Sequence, residues 1–219
     1  MFSFFTPAYN AGRYIAQTLS SILQQTIPDW ELILVIDEAS TDDTLQIARE
    51  YAQHDARIRL ITVPHCNQAE KMNLALREMK YDWACGLDAD DIASPQRLEV
   101  VKAAIEANPH VIAWGGYARY FNNQGRTLFM SELGPTTEAA FAEQRRKSEP
   151  VMLSHSAMTF RRDIALELGG YNAALFTCAD IDLCDRLSDR GLVLAIPQVL
   201  VDYRIHDGST TASKFNIHA

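Results

Sequence analysis

The feature that most constrains this chain is an alternation, through its first half, of short apolar runs with apolar stripes at helical spacing. Phe2–Phe5 is one such run, and Thr6-Pro7-Ala8-Tyr9-Asn10-Ala11-Gly12 after it is turn chemistry. Tyr14, Ile15, Leu19, Ile22 and Leu23 then recur on one helical face as far as Pro28. Glu31–Ile36 reads as a buried strand, continuously apolar because a parallel strand covered on both faces has no solvent side. Ser40 and Asp43 predict a capping pair opening a helix with Leu45, Ala48 and Ala52 inward. Ile58–Val63 predicts a third strand, and Met72, Ala75, Leu76 and Met79 a helix after it. Asp82–Leu87 predicts a fourth strand that stops at Asp88-Ala89-Asp90-Asp91. Ser94-Pro95 predicts an N-cap with Pro at the first helical position, and Leu98, Val101 and Ile105 mark that helix's inner face. Strand and helix in strict alternation are the order of a mostly parallel α/β sheet flanked by helices.

The second half changes character. Val111–Phe121 and Arg126–Met130 flank Asn122-Asn123-Gln124-Gly125, a hairpin signal that predicts a smaller mixed sheet. A helix is expected over about Thr137–Lys147, an extended stretch over Pro150–Phe160, and another helix from about Asp180 to Arg190. Strands are expected in Leu192–Ile196 and Val199–Arg204, and a loosely held tail from Asp207 onward. No linker composition separates the halves, so residues 1–219 read as a single domain whose topology changes near Asp91.

At 219 residues the chain can bury roughly 70% of its unfolded surface, so it needs no disulfide or zinc staple. Cys66, Cys85, Cys178 and Cys184 form no C-x-x-C pair, and they read as buried thiols in a reducing compartment. The net charge of −8 argues against a nucleic-acid-binding surface. It leaves a nucleotide possible, because a divalent cation can carry the positive charge. Apolar runs such as Leu32–Ile36 fall far short of the ~20 residues that span a bilayer, so no transmembrane segment is expected. The start, Met1-Phe2-Ser3-Phe4-Phe5, has no basic segment of the secretory type. The expected location is cytoplasmic, with peripheral contact at the inner face of the plasma membrane left open.

In open α/β sheets ligands bind beyond the carboxyl ends of strands. Three polar or acidic turns fall at such ends here: Thr6–Asn10, Asp37–Ser40 and Asp88–Asp91. Neighbouring carboxylates are costly unless something cationic neutralises them. Asp88, Asp90 and Asp91 are hard oxygen donors that suit Mg²⁺ or Mn²⁺, with substrate phosphates completing the coordination shell.

The same residues carry a resemblance. Pro7-Ala8-Tyr9-Asn10, Val35-Ile36-Asp37-Glu38-Ala39-Ser40, Leu87-Asp88-Ala89-Asp90-Asp91, Gly169-Gly170-Tyr171-Asn172, Asp180-Ile181-Asp182-Leu183 with Arg186, and Tyr203-Arg204-Ile205-His206 resemble, in order, the family-2 glycosyltransferases of the GT-A fold. The resemblance implies a GT-A-like α/β domain: residues 1–91 bind a nucleotide-diphospho-sugar, UDP- or dTDP-linked, and residues 92–219 a saccharide or lipid-linked acceptor. It implies that Pro7, Ala8 and Tyr9 cradle the base, that Asp37 accepts a hydrogen bond from it, and that Lys71 lies near the nucleotide. Asp88 with Ala89 would lie by the ribose, and Asp90 with His206 by the Mn²⁺ or Mg²⁺ ion on the diphosphate. Asp180 matches the family's catalytic base, and a single base with direct attack implies inversion at the anomeric carbon. The setting at Cell-surface polysaccharide or glycolipid synthesis is what the likeness implies for the pathway.

The chain departs from the family pattern at three places. Ala39 stands where Gly is usual, Ala179 where a Glu usually precedes the base, and Ala69 where Gly is common. No Gln-x-x-Arg-Trp motif of processive synthases occurs, which favours transfer of single sugars. A dinucleotide-dependent oxidoreductase is excluded by the lack of G-x-G-x-x-G. A sugar-phosphate nucleotidyltransferase would want a Gly- and Arg-rich first loop. A non-catalytic nucleotide-sugar-binding module is the alternative that Ala39 and Ala179 leave standing.

Overall fold

The computed structural model describes residues 1–175 and 177–209. Strands β1 (Phe2–Ala8), β2 (Trp30–Asp37), β3 (Ile58–Val63) and β4 (Trp83–Gly86) alternate with helices α1 (Ile15–Leu23), α2 (Thr44–His54) and α3 (Gln68–Glu78). A two-residue strand β5 (Ile92–Ala93) leads to α4 (Arg97–Ala107) and the hairpin of β6 (Val111–Asn122) and β7 (Thr127–Ser131). Helix α5 (Glu138–Arg146), a 3₁₀ turn (His155–Ala157), β8 (Thr159–Arg161), α6 (Arg162–Glu167), α7 (Ala179–Ser188) and β9 (Leu192–Ile205) complete the described chain.

The nine strands of the described residues join one sheet in the order β3-β2-β1-β4-β8-β6-β9-β5, with β7 paired off this path to the far end of β6, beyond its short pairing with β8. Strands β3, β2, β1 and β4 are parallel, β8 runs antiparallel to both β4 and β6, and β6 and β9 are again parallel. The expected smaller mixed sheet is therefore not a separate layer. It continues the parallel half, and β8 is the seam.

Alternation along the strands sends successive side chains to opposite faces. Phe4, Leu32, Leu34 and Ile36 join Ile15, Leu19, Ile22, Leu98 and Val101 on one face. Phe5, Ile33 and Val35 join Met72, Leu76, Phe160, Leu183 and Leu187 on the other. Both faces are covered, which is why β2 is buried at every position.

Several local expectations change. β1 runs on through Pro7 and Ala8, so the first turn begins only at Tyr9. Ser40 and Asp43 do not cap α2. Instead the Asp42 carboxylate accepts from the Thr44 and Gly12 amides, and the Ser40 hydroxyl accepts from the Asn10 amide, which pins the first two strand-end loops together. The N-cap of α4 is Gln96, because Ser94-Pro95 closes a turn whose Ser94 carbonyl accepts from the Arg97 amide. The two expected C-terminal strands are one, β9, with its register to β6 shifting between Gly116 and Ala118. Cys85 and Cys184 are buried, whereas Cys66 is half-buried and Cys178 exposed. Asp207–Ser209 is held rather than loose: the Ser209 amide donates to the His206 carbonyl at 2.9 Å. The rest of the expected tail, 210–219, lies outside the described residues.

Candidate active site

The carboxyl ends of β1, β2 and β4 meet along one edge of the sheet, and each delivers part of the site. Asp37, the last residue of β2, is fully buried. One of its oxygens accepts from the Ala39 amide at 3.0 Å. The other accepts from Lys71 Nζ at 2.8 Å, lies 3.0 Å from His65 Nδ1 and accepts from the Cys66 amide at 3.4 Å. Burial pushes the Asp37 carboxyl up, but the Lys71 ammonium and these amides outweigh it and bring it down to about 2. Both Asp37 oxygens accept hydrogen bonds within the chain. Lys71 comes from α3, whose entry is fixed by a capping box between Asn67 and Glu70. Ala69 sits buried in the first turn of that helix, where Ala is the better helix former. Ala39 closes its turn through the hydrogen bond to Asp37, at a position outside the left-handed region that would have demanded Gly.

Pro7 and Ala8 are buried strand residues, whereas Tyr9 projects, 47% exposed. Its ring lies 5.2 Å from that of His65, and Lys71 Nζ stands 6.0 Å over its face.

At the tip of β4 the acidic residues divide by role. Asp91 is buried, accepts from the Arg204 amide at 2.8 Å, and is pushed well above the usual carboxylate range by burial and by Asp90 and Asp88. It holds β9 against the turn. Ala89 is also buried, and its carbonyl accepts from the Thr18 hydroxyl at 2.9 Å. Asp90 and Asp88 keep partial exposure. Asp90 Oδ2 lies 2.9 Å from His206 Nε2. The Arg204 guanidinium donates to the Asp90 carbonyl at 2.9 Å and lies over the Tyr14 and Phe121 rings. Asp88 Oδ1 accepts from Gln68 Nε2 at 3.2 Å and lies 3.3 Å from His155 Nδ1.

His155 is a residue that the sequence pattern did not single out. It sits in the 3₁₀ turn, buried, with Nε2 3.0 Å from the Tyr171 hydroxyl. Burial draws its pKa down, but the carboxylates of Asp88 and Asp180 more than offset this and raise it. The turn is held from below by Arg97, a buried guanidinium that donates to the carbonyls of Ser156 at 2.6 Å and Met158 at 3.1 Å. Burial lowers Arg97 to about 10, so it stays cationic at neutral pH. A hint lay in the sequence, where Arg97 is the one charged residue among the inward positions opening its helix.

Asp180 lies half-buried in the first turn of α7. The N-cap is Cys178, with φ of 66°, and no side chain caps the helix, so Asp180 is not a capping residue. Its charge acts on His155 and Tyr171 and, from the second half, on Tyr120, whose phenol is pushed up to about 12 by burial, Asp91 and Asp180. Tyr120 stacks between Phe129 at 4.4 Å and Tyr203 at 4.6 Å. Ala179 faces the core, and Arg186 pairs with Asp182 one turn earlier on α7.

Acidic turns at the carboxyl edge of a partly parallel sheet define the α/β class whose ligands lie beyond the strand ends. The chain belongs to glycosyl transferase family 2, whose family model matches residues 3–169. Chondroitin synthase of Escherichia coli is 26% identical over 215 residues, 98% of this chain and 30% of that protein. The S. aureus TarS 1–349 structure in complex with UDP-GlcNAc matches with a TM-score of 0.78 at 20% identity, covering 97% of this chain and 60% of that one. The mannosyltransferase PcManGT of Pyrobaculum calidifontis, in complex with GDP-Man and Mn²⁺, matches with a TM-score of 0.69 at 19% identity, over 97% of this chain and 59% of that one. These likenesses make the fold GT-A-like. The chain spans 30% to 66% of the length of the first curated relatives it matches. No described helix is long and apolar enough to cross a membrane.

Proposed function

We propose that this chain carries out inverting, divalent-cation-dependent transfer of a sugar from a nucleotide-diphospho-sugar, UDP- or dTDP-linked, to a hydroxyl of a saccharide or lipid-linked acceptor. Cell-surface polysaccharide or glycolipid synthesis is the setting, in keeping with a relative named chondroitin synthase. The observation that carries the reading is geometric: His155, from the second half, lies 3.3 Å from Asp88 at the tip of β4, and the charges of Asp88 and Asp180 together raise its pKa.

The nucleotide would lie along the strand ends, its base against Tyr9, its ribose by Asp88 and Ala89, and its diphosphate by Asp90. Residues 1–91 would thus serve the donor and 92–219 the acceptor. Asp90 and His206, whose donor atoms lie 2.9 Å apart, are the residues that would hold a divalent cation; among the described residues no group of three or more His, Cys, Asp or Glu is placed to hold one without further ligands. Two protein donors with phosphate oxygens and water in the remaining positions are the usual arrangement for Mg²⁺ or Mn²⁺ on a nucleotide. When bound there, the cation supplies Lewis-acid stabilisation of the departing diphosphate. Asp180 takes the acceptor hydroxyl proton, a contribution of about 10²–10⁴-fold. The oxygen so freed attacks the anomeric carbon opposite the leaving group, the bond to the diphosphate breaks, and the configuration inverts.

Calorimetry with UDP and Mn²⁺, alongside turnover of UDP-sugars, tests this. Asp180→Asn is expected to keep donor binding and lose turnover by about 10²-fold or more. Asp90→Ala is expected to abolish the Mn²⁺-dependent part of binding. Wild-type turnover in the first variant, or full affinity in the second, refutes the corresponding role. Binding without any transfer or hydrolysis would identify a non-catalytic module.

A further inference from the structure

We infer that His155 is a positioning residue for the donor site: braced by Tyr171, it holds one oxygen of Asp88 so that the other is aimed at the ribose hydroxyls. The inference rests on the nucleotide-sugar reading above and deepens it, adding the side chains that stand behind Asp88.

The two oxygens of Asp88 are not equivalent. Oδ1 accepts from Gln68 Nε2 at 3.2 Å and faces His155 Nδ1 at 3.3 Å. Among the described residues no donor reaches Oδ2, although the side chain is only 22% exposed. A mostly covered carboxylate with one oxygen engaged and the other bare is an acceptor with a fixed direction. The same turn that carries His155 also grips the main chain here, because the Asp88 amide donates to the Ser156 hydroxyl at 3.2 Å. Asp88 is thus held at backbone and side chain before any ligand arrives, which spares binding the entropy of ordering it.

The imidazole itself has little freedom to turn. It stands edge-to-face on Phe5 at 5.8 Å and lies against Gly86, where an added Cβ would come within 3.1 Å of Nε2. A carboxylate offers only lone pairs, so Nδ1 carries a proton in its contact with Asp88. On the other side of the ring, Nε2 lies 3.0 Å from the Tyr171 hydroxyl. A phenol both donates and accepts, so it holds Nε2 whether the ring is neutral or charged. Tyr171 is buried in turn, and a single side chain clamps its backbone. Its amide donates to Asn73 Oδ1 and its carbonyl accepts from Asn73 Nδ2, both at 2.7 Å. Asn73 belongs to α3, so the brace behind Asp88 is anchored back on the donor half.

The test is calorimetric titration, with Mn²⁺ present, of UDP against its 2′,3′-dideoxy analogue and of dTDP against its 3′-deoxy analogue. General damage to the fold weakens both members of a pair alike, whereas a misaimed Asp88 removes only the advantage that the hydroxyls confer. The wild type is expected to bind the hydroxylated member of whichever pair it accepts about tenfold tighter. His155→Ala is expected to bring that ratio near one. Tyr171→Phe, which deletes one hydroxyl and keeps the packed ring, is expected to cut it about threefold. Circular dichroism serves as the folding control. A wild-type ratio in folded His155→Ala overturns the inference, and if that variant does not fold, a wild-type ratio in Tyr171→Phe does so. A wild type indifferent to the hydroxyls also overturns it and leaves sugar transfer from a nucleotide donor intact. A wild type that binds neither UDP nor dTDP overturns both.

Discussion

Asp37 and Lys71 form the most committed ion pair of the molecule, 2.8 Å apart with side chains 0% and 5% exposed. Removing one partner of such a pair leaves a buried charge, so Lys71→Met is expected to lower stability by about 3–5 kcal/mol in denaturant titration. The sign of the pH dependence follows from the depressed carboxyl. Its stabilisation is complete above the ordinary value of 3.8 and is lost as pH falls toward about 2. Acid titration of unfolding should therefore show a limb in that window, flattened in Lys71→Met. A second residue-scale prediction concerns Gly86, where an added Cβ would lie 2.9 Å from the His155 carbonyl oxygen and 3.1 Å from its Nε2. Gly86→Ala is expected to displace the His155 turn from Asp88, costing about 1–3 kcal/mol in thermal unfolding. UDP binding should weaken with it, and an unchanged UDP affinity would mean that the His155 turn plays no part in holding Asp88. At this scale the acidic residues were legible because their motif spacing is short-range. His65, His155 and Arg97 were not, because each takes its place through a partner 28 to 67 residues distant that no local pattern encodes.

Strands and helices were readable where burial is periodic. β2, β3 and α3 appear close to their expected bounds, since continuous apolar runs and i, i+3, i+4 stripes leave little choice of face. Leu34, fully buried in β2, is expected to cost about 2–5 kcal/mol as Leu34→Ala, measured as a shift in the urea midpoint at unchanged slope. The caps were misread where a side chain had better business elsewhere. Asp42, not Ser40 with Asp43, secures the start of α2, because it can bind Gly12 across the loop as well as Thr44. Short elements escaped notice for a related reason. β8 has three residues and α6 six, too few to show a period, and both are specified by pairing with β4 and by the Arg162 guanidinium donating to the Leu76 and Arg77 carbonyls.

For the molecule as a whole, the sequence showed two halves and the structure shows one sheet. The join near Asp91 marks a change in strand direction without a break in hydrogen bonding, because β8 pairs with β4 on one side and β6 on the other. Calorimetric unfolding of the described fold is accordingly expected to be a single cooperative transition. The fragment 1–91 expressed alone is expected to remain unfolded or aggregate, since the outer edge of β4 and the core surfaces that pack against Leu98, Val101, Leu183 and Leu187 would both be bare. A folded, monomeric fragment by circular dichroism and sedimentation would contradict this. The seam at β8 also bears on how such proteins can be recombined. Grafting a foreign acceptor half at residue 91 would replace the very strand that zips against the donor half, so a working hybrid must carry over a matched β4–β8 interface or exchange only the loops that crown it.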